Sequence, residues 1–197
     1  MKNVKIIGFI AALVIVGVVV AKNYFEKSAI VNEDSAVVIE RVLSQDWAVR
    51  PVGNTGITAH TPEGLVNVPV KLDHDAKELL ESYDAYEYAT TVFTLRIIHT
   101  IGKNEFDSED YANKLAKMVK DVMKVDSYTY KVGPYSKDEN TGSALTGIAE
   151  DNGVKTVVDS VIVTRDKDLW EVTVTYKPEF KELIELGNKI LNSVVVQ

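Results

Sequence analysis

The apolar residues of this chain fall into three patterns: one unbroken run, several alternations of period two, and stretches with the three-and-four spacing of an amphipathic helix. The run is Ile6 to Ala21, apolar on every side, with Lys2 and Lys5 before it and Lys22 after it. As a helix it rises roughly 24 Å, short of a hydrocarbon core of about 30 Å but extendable by lysines that reach the headgroups. The layout predicts a secretory signal or a single membrane anchor. Val19 and Ala21 are small residues spaced as a peptidase site before Lys22 requires. The length of the run and the lack of a polar break before that site favour an anchor; secretion after cleavage near Ala21 is the alternative.

From residue 23 to 34 the chain turns polar and loses its period, which reads as a stalk. A helix capped by Ser35 and running to about Gln45 opens the folded part, with Val38, Ile39, Val42 and Leu43 on one side. Residues 47–51 and 56–61 read as a short hairpin around Gly53-Asn54. Residues 65–72 read as extended and Asp75 to Ser82 as a short helix. Tyr86 to Ile101 reads as one long strand, apolar on both faces and so expected inside a covered sheet. Asp107 or Ser108 caps the clearest amphipathic helix, which runs to about Val125 with Tyr111, Leu115, Met118, Val119 and Val122 on its buried side.

A meander follows. Ser127 to Val132 alternates, Gly133 to Gly142 reads as a loop, and Ala144 to Asp151 and Val154 to Thr164 flank the Asn152-Gly153 turn signal. Arg165 to Asp168 turns again into Leu169 to Tyr176, where Trp170, Val172, Val174 and Tyr176 point inward and Glu171, Thr173 and Thr175 outward. Pro178 suits the start of a last helix with Phe180, Leu183, Ile184, Gly187, Ile190, Leu191 and Val194 on its apolar side. Helices alternating with hairpin-linked strands predict an α+β fold: an antiparallel β-sheet flanked by α-helices, a single domain over residues 35–197 behind the segments 1–22 and 23–34.

Charge and cysteine content narrow the function. Of the 22 basic residues, Lys2, Lys5 and Lys22 flank the apolar run, leaving 19 against 29 acidic side chains beyond it. So acidic a domain repels phosphate backbones, and nucleic acid is not expected as a partner. With no cysteine there is neither a disulfide staple nor a lipid-modified cysteine at the end of the apolar run. Stability has to come from the core, and membrane attachment from the helix itself.

Four stretches carry a resemblance to a known family: TGITAHTPEGL at Thr55 to Leu65, RIIHT at Arg96 to Thr100, FDSEDYANKL at Phe106 to Leu115, and LWEVTVTYKPEFKELIELGNKILNSV at Leu169 to Val194. Together they resemble the PsbP-like fold over about Trp47 to Val196. That family includes an extrinsic photosystem protein, a nuclear-import factor and small exported bacterial proteins. The resemblance implies a sandwich of sheet and helices used as a binding scaffold, and it brings no catalytic residues with it.

Candidate chemistry is sparse. Asp73-His74-Asp75 offers two carboxylates and an imidazole to a divalent ion, but adjacent ligands diverge and a solvated turn is the simpler reading. His60 and His99 sit at strand ends without a nucleophile in an elbow context. Arg96 and Asp159, charges within apolar strands, are expected to pair across the sheet or line a pocket. Tyr86, Tyr88, Tyr128 and Tyr130, if they share one face, offer an aromatic surface with polar tips; packing under a helix is the alternative. The expected whole is a membrane-tethered or secreted extracytoplasmic module without catalytic activity, metal or cofactor, whose partners are the cell membrane and a protein or envelope component. The competing class is a small-ligand carrier or enzyme with a pocket between sheet and helix.

Overall fold

The structure, a computed structural model, describes residues 34–69, 74–123 and 125–197. The apolar run Ile6 to Ala21 and the stalk 23–33 lie outside the described residues. The elements in order are α1 (Ser35–Leu43), β1 (Trp47–Pro51), β2 (Ile57–Pro62), β3 (Val66–Asn67), α2 (His74–Leu79), β4 (Leu80–Ala89), β5 (Phe93–Gly102) and α3 (Ser108–Met123). They continue with β6 (Ser127–Lys137), β7 (Asn140–Asp151), β8 (Val154–Arg165), β9 (Asp168–Tyr176), α4 (Lys181–Ser193) and β10 (Val195–Val196). The fold is α+β. Seven strands form one antiparallel sheet in the order β3-β4-β5-β9-β8-β7-β6, and β1-β2-β10 form a smaller one.

Because neighbouring strands pair in register, side-chain parity assigns each residue to one of two faces. On the first face Phe93, Leu95 and Ile97 of β5 and Val172, Val174 and Tyr176 of β9 build the larger core. Val38 and Val42 of α1, Leu183 and Ile190 of α4, and Ile57 and Ala59 of the small sheet close it. On the second face Tyr111, Leu115 and Ala116 of α3 pack on Leu145, Ile162 and Leu169. α4 approaches β9 so closely that a Cβ on Gly187 would stand 2.9 Å from the Tyr176 ring.

Several boundaries differ from the sequence reading. The expected long strand at 86–101 is two strands, because Thr90 folds back: its hydroxyl oxygen accepts from the amides of Val92 and Phe93, and its own amide donates to Phe93 O. β-branched residues hide that turn, and it switches the facing parity, so Tyr86 and Tyr88 lie on the face of Leu95 and Ile97. The short helix ends at Leu79, where β4 already begins. Residues 133–142 are not a loop; β6 and β7 continue to a tight turn at Asp138-Glu139, with Asp138 at φ +54. The turn at Asn152-Gly153 forms as expected, with φ +50 and +77.

The starts of α1 and α4 differ from the sequence reading by a residue or more, whereas the cap of α3 is one of the two expected. Asp34 rather than Ser35 caps α1, accepting from Ala36 N at 3.0 Å. Asp107 caps α3 through Asp110 N at 2.7 Å. Pro178 precedes α4 by one turn of irregular chain, with Phe180 at the cap position and no side-chain cap bond.

Candidate functional site

The densest polar chemistry among the described residues is buried under α3. Arg96 on β5 stands in register with Glu87 on β4 and Thr173 on β9, all on the second face. Its Nη2 lies 3.4 Å from Oε1 of Glu171, whose side chain is 0% exposed. Glu171 Oε2 accepts from the Tyr111 hydroxyl of α3 at 2.7 Å, and Oε1 from Thr173 Oγ1 at 2.7 Å. Thr173 has a single hydroxyl proton, committed to Glu171, so Ser160 is the donor across the 2.7 Å contact to Thr173. The result is a one-way chain of donors ending on a buried carboxylate.

Each environment moves its group's proton affinity. For Arg96 burial works against the charge, but Glu171 and then Tyr83, Tyr111 and Glu87 outweigh it and hold the guanidinium protonated. Glu87 goes the other way: burial raises its carboxyl above the usual range and the attraction of Arg96 only partly offsets this. Tyr83 is pushed up to about 12, chiefly by burial. Tyr111 is raised well above its ordinary value by burial and by its bond to Glu171. The geometry thus ties α3 to the sheet through Tyr111, Glu171 and Arg96.

The expected pairing of Arg96 with Asp159 does not form, since the two project from opposite faces. Asp159 instead accepts from the Tyr176 hydroxyl at 2.7 Å. His99 shares the face of Asp159: its Nε2 is 2.8 Å from Asp168 Oδ1, and its ring stacks on Trp170 at 5.1 Å. No cavity can therefore gather His99, Asp159 and Arg96 together. His60 is buried beside Trp47, at 5.8 Å between ring centroids, and burial, then Lys189 and Arg50, lowers its pKa. His74 is exposed with Nε2 3.4 Å from Glu78; Asp73 and the Asp75 side chain lie outside what the structure describes.

The four tyrosines do not share a face either. Tyr86 and Tyr88 sit on β4 towards the larger core, whereas Tyr128 and Tyr130 sit on β6 at the far end of the sheet, on the face of α3. Of the four only Tyr130 is exposed. Tyr128 and Tyr130 stack at 5.5 Å, and the Tyr128 ring lies over Gly147, where a Cβ would come 2.3 Å from its hydroxyl.

Sequence reasoning missed Glu87, Glu171 and Tyr111. Glu171 was expected outward because it alternates with Trp170 and Val172. The signal against that was the two-faced apolar pattern of β5: a strand buried on both faces requires neighbours covered on both faces too. A second feature escaped it as well. Ala36, Ile39 and Leu43 line one side of α1 and Phe180 the start of α4, and between them runs an open groove of about 580 Å³ rimmed by Glu40 and Glu182.

No protein-family model matches the chain, and no curated protein matches it. Among solved structures, the fold is similar to that of LpqN of Mycobacterium tuberculosis, a protein involved in cell envelope biogenesis. The identity is 12%, the TM-score 0.48, and the match covers 81% of this chain and 96% of LpqN. It is also similar to PA94 of Pseudomonas aeruginosa, of unknown function, at 11% identity and a TM-score of 0.36, over 73% of this chain and 91% of that one. At this distance the likeness concerns only how strands and helices are arranged.

Proposed function

We propose that this chain is an extracytoplasmic binding or accessory module, held to the cell membrane by its own N-terminal segment and without catalytic activity of its own. The observation that carries the reading is the run Ile6 to Ala21 with its lysine flanks, placed a short polar stretch ahead of Ser35. The PsbP-like sequence pattern supports a scaffold that binds. So does the spread of titratable groups over both faces of the sheet, with Arg96 and Glu171 engaged under α3 and His99 with Asp168 on the other side.

The test uses the full chain in its own cells. A membrane-impermeant protease is added to intact cells or spheroplasts, the membranes are washed with carbonate, and the mature N-terminus is read by mass spectrometry. The expected result is a carbonate-resistant protein whose folded part is digested from outside and whose N-terminal peptide contains Ile6 to Ala21. A protein that begins at Lys22 and is released supports the secreted form. A protease-shielded, soluble protein with an intact N-terminus overturns the reading.

A further inference from the structure

α1 is apolar on more sides than the fold covers. Val38 and Val42 enter the core, yet Ala36, Ile39 and Leu43 form a second stripe at spacings of three and four, and Leu43 is 42% exposed. Phe180 completes this stripe from the start of α4, giving the groove an apolar floor. Its rim is acidic: Glu40 and Glu182 are exposed and form no ion pair among the described residues, whereas Lys181 is taken by Glu185 at 3.7 Å. Carboxylates at the rim repel lipid phosphates and nucleic acid, and favour a peptide that brings its own cations.

We infer that the groove between α1 and the start of α4 docks a segment of a partner protein that carries large aliphatic side chains flanked by lysine or arginine. The aliphatic side chains fill the space between Leu43 and Phe180, and the flanking cations meet Glu40 and Glu182. This deepens the binding-module reading and rests on it for where the partner is met, outside the membrane. The chemistry of the groove does not depend on that placement.

The experiment uses the purified full chain in phosphatidylcholine nanodiscs. The probe is a fluorescein-labelled peptide with two leucines four positions apart on an alanine background and two lysines at each end. A matched peptide with glutamates at its ends is the control, and fluorescence anisotropy is read against empty discs. The lysine-flanked probe is expected to bind saturably and the glutamate-flanked one not to bind. Glu40→Lys with Glu182→Lys should weaken the binding by about tenfold or more, as reversal of rim charges does, and Leu43→Asp should abolish it. All three positions are exposed, so folding is checked by near-ultraviolet dichroism, and Glu40→Gln with Glu182→Gln gives an intermediate loss as a second reading. Anisotropy no higher than on empty discs, equal binding of both peptides, or binding that survives both variants overturns the inference. Because the purified chain is assayed, these results are independent of the cellular topology experiment.

Discussion

Glu171, without access to water, is tolerated because three donors converge on it: the Tyr111 and Thr173 hydroxyls and the Arg96 guanidinium. A charged acceptor makes each such bond worth more than a neutral one. Tyr111→Phe removes only the hydroxyl, so urea denaturation should show a loss of about 1.5–3 kcal/mol. Arg96→Met leaves two buried carboxylates without their cation and should cost more, roughly 3–5 kcal/mol. A Tyr111→Phe protein as stable as the parent would mean that Glu171 is satisfied without α3. Half of this cluster was legible. Arg96 stood out as a charge in an apolar strand, but its partner cannot be chosen from parity until the turn at Thr90 has fixed which face β5 presents.

At the scale of elements, the meander β6 to β9 and the amphipathic α3 followed directly from period and turn chemistry, because Asn152-Gly153 and the alternation of Leu169 to Tyr176 are strong local signals. What failed were the elements decided by tertiary context. Thr90 makes a turn from a residue type that favours strands, and β6 keeps its pairing through Gly133 and Pro134, residues that read as a loop. Contact between elements also reverses an intrinsic preference in α4. Gly187→Ala would gain up to about 1 kcal/mol of helix propensity in an isolated helix. Here the added methyl meets the Tyr176 ring and the Val174 side chain, so a net loss of about 1–2 kcal/mol is expected as the helix lifts from β9. A Gly187→Ala protein with a raised midpoint in denaturant would show that α4 has slack to move.

For the whole molecule, two buried titratable groups pull stability in opposite directions with pH. Glu87 keeps its proton to a higher pH folded than unfolded, so its contribution is full at low pH and is lost as pH rises from 4.5 through the folded value. His60 resists protonation when folded, so its contribution is full above 6.5 and is lost as pH falls below that value. Together they are weakest in the interval between, where both contributions are diminished, and each recovers on its own side of it. Glutamine cannot ionise, so Glu87→Gln should gain in melting temperature over the parent as pH rises above 4.5 and differ little from it below that value. A lower melting temperature for Glu87→Gln at pH 7 would mean that the attraction to Arg96 outweighs the burial.

The small sheet has a consequence in time. β2 pairs on one side with β1, its immediate predecessor, and on the other with β10, from which nearly the whole described sequence separates it. Val196, Ile57 and Ala59 then share one core with Ile190 of α4. A ribosome that has made the first hairpin has therefore made only half of its shelter: Ile57 and Ala59 stay uncovered until α4 and β10 have emerged. Long-range closure of this kind is slow and leaves sticky intermediates exposed. A core that cannot close early also suits the proposed delivery of this domain across a membrane, since a thread that stays unfolded does not jam a channel.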